Sequence, residues 1–334
     1  MKNKFRGIKM LPAGKLPPEL LEKLVLSRLP SRGKGVIIGP GTGIDGAAME
    51  VEGTLVASSD PITGATKRIG FYAVHVNAND VAVMGAEPRW FLTTILLPEN
   101  ADEGLLEGII EEISREAEKL GVAVVGGHTE VTPGLDRPIV VGTMLGEAER
   151  LVRPDGAKPG DAIVMTKWVG VEGTSIIAEE LRERLAPVLG EGLLERASSL
   201  IEYLSVLPEA RVLRKFANAM HDPTEGGVLN GLHEMADASG LGFRIYGERI
   251  PIREETKAIC NYLKLNPFGL ISSGVLLAAV PKEHAEKAVE ELMARGITAN
   301  IIGEFLAEKK RVIVEGGEER PAWRPESDEL WKVV

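Results

Sequence analysis

The sequence predicts two α+β domains in preference to one doubly wound parallel sheet. Three observations point there. The chain has 334 residues, more than a single hydrophobic core usually organises. Its apolar pattern switches irregularly between period 2 and period 3.6, without the strict strand–helix alternation of βαβ units. And "RLVRPDGAKPGDAIVMTKW" interrupts the pattern with Pro and Gly before a fresh strand, which puts a boundary near residues 150–158. We take the domains as 1–152, with an N-terminal arm at 1–34, and 153–334.

After the basic arm, short strands at 36–38 and 54–57 alternate with glycine-rich turns. A helix through "HVNANDVAVMG" follows, ended by Gly85 and Pro88. At 100° per residue its Asp80 shares a face with Val76, Val83 and Met84. An uncompensated carboxylate there would cost several kcal/mol, so Asp80 needs a partner: a cation, a basic side chain or a metal. "WFLTTILLP" reads as a buried strand. Residues 104–120 repeat Leu105, Leu106, Ile109, Ile110, Ile113, Ala117 and Leu120 at helical spacing. The strands "VAVVGGHTEV" and "RPIVVGTMLGEA" complete this half.

The second half opens with helices at about 172–186 and 192–218. "HDPTEGGVLNGLHEMADASG" is a glycine turn opening a helix that stops at Gly240, and "KAICNYLK" is helix-like. Strands follow at "FRIYG", "GVLLAAVP", "TANIIGEF" and "RVIVEG". An amphipathic helix carrying Ala285, Ala288, Val289, Leu292 and Met293 lies between the second and third.

Composition narrows the function. Hydrophobic residues make up 44% and charged residues 26%, and no apolar run approaches the ~18 residues of a membrane span. The opening segment lacks an apolar signal core, so a cytoplasmic location is expected. A net charge of −10 argues against a nucleic-acid partner. The single cysteine, Cys260, excludes a disulfide scaffold and a thiolate zinc cluster, and reads as a small core residue. The absence of glutamine beside abundant Glu, Lys and Arg is a thermophilic bias.

Gly41-Thr42-Gly43-Ile44-Asp45-Gly46 matches the dinucleotide fingerprint by letter. That fingerprint needs a helix directly after it, whereas "AAMEVEGTLVASSD" reads as strand, turn, strand. Gly41 and Gly43 can still bring backbone amides to phosphates. Four acids recur beside Gly, Thr or Asn: Asp45, Asp60, Asp80 and Asp222. Scattered carboxylates of this kind suit Mg²⁺ held against a polyphosphate, because the ion takes oxygen ligands and keeps water. "GGHTEV" gathers Gly126, Gly127, His128, Thr129 and Glu130 in one turn. Gly226 and Gly227 stand where a helix N-terminus favours an anion. Lys34 and Arg32 can fold over phosphates. No nucleophile elbow or zinc-ligand spacing occurs, which leaves covalent catalysis by the protein without support.

"GPGTGIDGAAM", "SSDPITG", "NANDVAVMGAEP", "GGHTEV", "KPGDAIVMTKWVGVEGT" and "HDPTEGGV" occur in order. From about residue 11 to 315 the chain resembles the PurM-like superfamily of aminoimidazole ribonucleotide synthetase. That superfamily includes thiamine-monophosphate kinase, selenophosphate synthetase and the hydrogenase-maturation factor HypE; the likeness looks closest to HypE-like and AIR-synthase-related proteins. The resemblance implies a homodimer whose N-terminal domains share a β-barrel, each with a C-terminal α/β sandwich domain. It implies ATP near the dimer interface, Mg²⁺ on Asp45, Asp60 and Asp80, and Asp222 with its following glycines near phosphate. Asn79, of the Asn-Asp block, and Gly126 and Gly127 are assigned to the nucleotide on the same footing. HypE proteins finish in a Pro-Arg-x-Cys tail that carries the carbamoyl group; this chain finishes "DELWKVV".

The reading is ATP- and Mg²⁺-dependent phosphoryl transfer to an oxygen of a small metabolite by a kinase- or synthetase-type enzyme. Asp80, Thr129, Glu130 and Asp222 are its catalytic candidates, and the Gly loop with Lys34 covers the triphosphate. The alternative is a hydrogenase-maturation or other assembly protein that binds nucleotide and a protein partner.

Overall fold

The computed structural model describes residues 10–30, 33–63 and 67–334. Arg32 lies outside the described residues. Two compact units emerge, one from Met1–Val81 and Ala86–Glu149, the other from Ala82–Gly85 and Arg150–Val334.

In chain order the first unit holds β1 (Gly14–Lys15), α1 (Pro18–Leu24), β2 (Val36–Ile38), β3 (Ala48–Met49), β4 (Thr54–Ile62) and α2 (Ile69–Val83). It continues with β5 (Glu87–Leu97), α3 (Glu103–Leu120), β6 (Ala123–Val131) and β7 (Ile139–Ala148). Its sheet runs β1-β6-β5-β7-β4, with only β5 and β6 parallel. Among the described residues of one chain this sheet is open and closes into no barrel.

The ends of α3 are set by local chemistry. Asp102 caps it by accepting the Leu105 N–H at 2.8 Å, and Gly121 leaves it in the left-handed region at φ 71°. It buries Leu106, Ile109, Ile110, Ile113 and Ala117, each worth roughly 1.5–3 kcal/mol. The β2–β3 ribbon packs Val36, Ala47 and Met49 on Trp90, Ala123 and Val125. No helix follows the Gly41–Gly46 loop; β3 does, which removes the dinucleotide fold.

The helix α2 is buried almost throughout; among its residues only Val76 and Asp80, one turn apart, keep partial exposure. Its end matches the sequence expectation: Gly85 turns at φ 84° and Ala86 N–H closes on Val81 O. Pro88, however, lies inside β5, which begins at Glu87.

The second unit comprises β8 (Ala162–Thr166), α4 (Val171–Glu180), α5 (Arg182–Leu189), α6 (Glu191–Ser198), α7 (Leu207–Leu213), β9 (Ala219–His221), α8 (Gly227–Ser239) and β10 (Gly242–Tyr246). Then come α9 (Glu254–Leu263), β11 (Leu277–Val280), α10 (Lys282–Met293), β12 (Ala299–Leu306), β13 (Arg311–Glu315) and β14 (Glu318–Pro321). The sheet order is β14-β13-β10-β12-β8-β11-β9, antiparallel except for β10 with β13. Val228, Leu229, Leu232 and Met235 of α8 pack on Ile163, Met165, Phe243 and Phe305.

The two long helices expected at 172–186 and 192–218 are five shorter pieces, α4 to α7 and a 3-10 turn at Ser199–Tyr203. Leu181 separates α4 from α5, and Pro208 starts α7 afresh, while Gly190, at φ 82°, falls in the expected gap. A continuous apolar periodicity hid these breaks. Leu194, Ile259, Cys260 and Leu330 then meet in a separate helical core.

Candidate functional site

Three of the singled-out residues, Asp60, Asn79 and Asp80, lie at β4 and α2. Asp60 is inside β4, which runs on to Ile62 rather than stopping at residue 57. Ser58, two residues earlier on the same strand face, donates its hydroxyl to Asp80 Oδ2 at 2.8 Å. The Asp60 and Asp80 carboxyls come within interaction range of each other. Burial first, then the Asp60 side chain and its charge, raise the Asp80 pKa to about 7, against the lowering effect of Ser58. The partner that a mid-helix carboxylate needs is therefore a second carboxyl and a hydroxyl, an arrangement that a cation would stabilise in its fully ionised form.

Asn77 positions this pair. Its Oδ1 accepts the Asp60 N–H at 2.8 Å, while its Nδ2 donates to Asp60 O at 3.4 Å and to Ala73 O at 2.9 Å. Gly142 of β7, opposite Asp60 in register, makes room for it: a Cβ there would stand 2.4 Å from Asn77 Nδ2. The sequence reading chose Asn79, which is fully buried in α2. Asn77 could have been found, because it is three residues before Asp80 on the same helix face.

Asp45 lies elsewhere. With Gly41, Gly46, Thr93, Gly126, Gly127 and Thr129 it lines a cavity of about 110 Å³ between the Gly loop, α1 and β6. Among the described residues no group of three or more His, Cys, Asp or Glu is arranged to hold a metal ion. The three-carboxylate cluster of Asp45, Asp60 and Asp80 is thus reduced within the chain to the Asp60–Asp80 pair. Gly43 and Lys34 do not line the cavity; Lys34 is exposed in the turn before β2.

"GGHTEV" is strand, not turn, so its side chains alternate. Thr129 is buried, while Glu130 takes the opposite face with His128, whose Nε2 lies 3.0 Å from Glu130 Oε2. Thr132 donates to the same carboxylate at 2.8 Å, and His128 followed by Thr132 holds Glu130 below its ordinary pKa. Thr129 and Glu130 therefore do not act on one atom from one side. A residue the sequence did not flag is Thr93: only 7% exposed, it lines the cavity and its Oγ1 has no hydrogen-bond partner. Nothing in the apolar run "WFLTTILLP" distinguished it from a core hydroxyl.

In the second unit Asp222 is buried just after β9, and Gly226 and Gly227 open α8 at φ 77° and 63°. The Gly226 N–H is taken by Oδ2 of Asp328 at 2.6 Å. Cys260 is 2% exposed, and burial, then Glu329, push its thiol up to about 12.

Known proteins agree with this architecture. Residues 43–148 match the family profile of the AIR synthase related protein, N-terminal domain, and residues 158–315 that of its C-terminal domain. A protein of Methanocaldococcus jannaschii, which carries the provisional name hydrogenase expression/formation protein, is 32% identical over 320 residues, 90% of this chain and 91% of its own length. Carbamoyl dehydratase HypE of Azotobacter vinelandii is 34% identical over 255 residues, 73% of this chain and 72% of that protein. The crystal structure of hydrogenase maturation protein HypE in complex with ATP superposes with a TM-score of 0.80 at 26% identity, covering 93% of this chain and 96% of that one. HypE in a HypE–HypF complex superposes at 0.70 with 25% identity, covering 81% and 90%. Two domains matched in order, with relatives aligned across nearly the whole chain, place this protein in the AIR synthase related protein family.

Proposed function

We propose that the protein catalyses ATP- and Mg²⁺-dependent phosphoryl transfer to an oxygen of a small acceptor, as a homodimer. The observation that carries this reading is the Asp60–Asp80 pair: two carboxyls forced together, one with its pKa near 7, at a position left partly open to solvent. Bound Mg²⁺ would supply charge neutralisation for the phosphates. The chain's own part is to hold the two carboxylates in place through Asn77 and Ser58, and to offer Thr93, Thr129 and the amides of the Gly loop around the neighbouring cavity.

That cavity, about 110 Å³, is smaller than the ~300–1,000 Å³ usual for a drug-sized ligand. One chain alone thus encloses only part of a nucleotide, and a second copy supplies the rest in this reading. Among the described residues the outer edge of β4 has no strand beside it, and Leu55, Ile37, Ile38 and Val51 are exposed large apolar residues on this unit. An unpaired nine-residue edge calls for a cover. The ATP-bound HypE structure supports the nucleotide.

The test is ATP turnover and calorimetric ATP binding with and without Mg²⁺, in wild type and Asp80→Asn. Mg²⁺-dependent turnover lost in the variant supports the assignment; full activity in the variant removes it.

A second reading, a maturation or assembly factor that acts through a protein partner, is favoured by the names of the relatives and by the HypE–HypF complex. Sustained ADP release on adding a metabolite favours the enzyme. Nucleotide-dependent binding of a purified HypF homologue without turnover favours the factor.

A further inference from the structure

Lys167, the residue after β8, has a left-handed backbone at φ 54°, where glycine is the usual occupant. Its side chain runs inward, and the residue is 7% exposed. The ammonium ends among four oxygens. Tyr203 O lies at 2.8 Å, Ser205 O at 2.6 Å, Gly274 O at 2.8 Å and Glu209 Oε1 at 2.8 Å. Tyr203 and Ser205 lie between α6 and α7, Glu209 in α7, and Gly274 in the loop before β11. Glycine is needed there: at φ 101° a Cβ on residue 274 would stand 2.6 Å from Tyr203 O.

All four partners are acceptors, and gathered without a positive charge they would repel one another at low dielectric. The amine is therefore held as ammonium, although burial lowers its pKa against the pull of Glu209. An ammonium has three N–H donors, one fewer than the oxygens around it, so its hydrogen bonds cannot be aimed at all four at once. Glu209 is 1% exposed, and its second oxygen has no hydrogen-bond partner among the described residues. Such a shell is the one a spherical ion takes, set by distance and charge and not by hydrogen-bond direction. Its 2.6–2.8 Å distances are wide for Mg²⁺ at ~2.0–2.1 Å and for Ca²⁺ at ~2.3–2.6 Å. Three backbone carbonyls with one carboxylate suit a large monovalent ion, of the size that rings of backbone carbonyls hold in K⁺ filters. One carboxylate also balances one positive charge, whereas a divalent ion would leave the site net positive.

We propose that Tyr203 O, Ser205 O, Gly274 O and Glu209 form a monovalent-cation site of the K⁺ or NH₄⁺ type, and that Lys167 supplies its resident ion from within the chain. The tethered charge fastens the loop at Gly274 to the start of α7, so no free ion is needed there. That loop also serves its neighbours: Ser272 Oγ accepts the Gly170 N–H just before α4, and the Ser272 N–H donates to Thr224 O. The site lies wholly in the second unit and shares no residue with the Asp60–Asp80 pair or the cavity beside the Gly loop. It stands independently of the phosphoryl-transfer reading.

Thermal unfolding of the full chain in Na⁺, K⁺ and NH₄⁺ chlorides at equal ionic strength tests it. Wild type should melt at one temperature in all three. Lys167→Gly, which suits the left-handed backbone and empties the cage, should melt low in Na⁺ and regain ~4 °C or more in K⁺ or NH₄⁺, rising with the logarithm of concentration as a bound ligand requires. Lys167→Met fills the path of the lysine stem with an uncharged chain and should show no preference among the salts; if it does not fold, wild type is the ion-blocked control. Adding Glu209→Gln to Lys167→Gly should raise the K⁺ concentration needed at least tenfold. Crystals of Lys167→Gly soaked in thallous acetate, a heavy K⁺ analogue, should give an anomalous peak among the four oxygens. Equal melting of Lys167→Gly in Na⁺ and K⁺, or a thallium-free cage, overturns the proposal. A Lys167→Gly chain that folds in none of the three salts does the same, as does a Lys167→Met chain that responds like Lys167→Gly.

Discussion

Asn77 and Asp60 grip each other at both ends: the Asp60 N–H donates to Asn77 Oδ1 at 2.8 Å, and Asn77 Nδ2 donates to the Asp60 carbonyl at 3.4 Å. A helix side chain thereby takes the place of a strand neighbour and fixes where β4 aims its carboxylate.

Gly142 makes that grip possible, so Gly142→Ala should break it. The added methyl would stand 2.4 Å from Asn77 Nδ2 and 2.8 Å from Phe91 Cε2, an overpacking cost of roughly 1–3 kcal/mol. Urea denaturation measures the loss. Gly108→Ala on the exposed face of α3, where a Cβ meets nothing within 4 Å, is the control and should gain about 0.5–1 kcal/mol.

Asp80→Asn removes a charge from the pair and keeps its shape. Mg²⁺-dependent ATP turnover is expected to fall at least ~100-fold, beyond the 10–100-fold usual for groups one shell removed from a metal. Sedimentation should show an unchanged assembly state. An undiminished rate in the variant would place the ion elsewhere.

The raised pKa of Asp80 makes stability fall with pH. The folded protein keeps the proton up to about 7, while the unfolded chain loses it near 3.8. The contribution is therefore full below about pH 4, declines as pH rises toward 7, and is flat above. Its size is on the order of 2–4 kcal/mol. Denaturation of wild type minus Asp80→Asn, in metal-free buffer from pH 4 to 8, isolates it. Added Mg²⁺ should flatten the difference.

Glu116 behaves in the opposite sense. It is buried in α3, and burial alone would raise its pKa. His75 at 3.2 Å, with Arg115 and Lys119, lowers it to about 2 instead. Its stabilisation is complete above pH 4.5 and is lost as pH falls toward 2, an order of about 2–3 kcal/mol. Glu116→Gln should be less stable at pH 7 and should lose less on acidification, read by circular dichroism between pH 5 and 2.5.

Cys260 should be inert. A buried thiol held near 12 gives almost no thiolate at neutral pH. Reaction with a chromogenic disulfide is expected only at the rate of unfolding, and Cys260→Ala should leave ATP binding intact.

The sequence carried the α+β class and most elements, because long periodic runs such as α3 and paired apolar strands announce themselves locally. It missed α1, β9 and β14, which are short and stabilised by what they pack on. It read 172–218 as two helices because apolar spacing continues across the breaks at Leu181 and before Pro208. At the site, Asp60 and Asp80 were visible as misplaced acids, yet their meeting is a matter of β4 lying beside α2. Asn77, one turn before Asp80, could have been read; Thr93 lay in an apolar run that did not distinguish it, and Asp328 was not visible because its partner, Gly226, is 102 positions away in sequence. The same limit produced the error at Thr129 and Glu130, where a strand puts neighbours on opposite faces.

The unpaired edge of β4 has one more consequence. The strand that carries Ser58 and Asp60 is also the rim on which another chain would zip, so sealing the rim stiffens the backbone that aims both oxygens. In the proposed homodimer, pairing along that rim would set both oxygens before any ion arrives, so assembly would not wait on the metal.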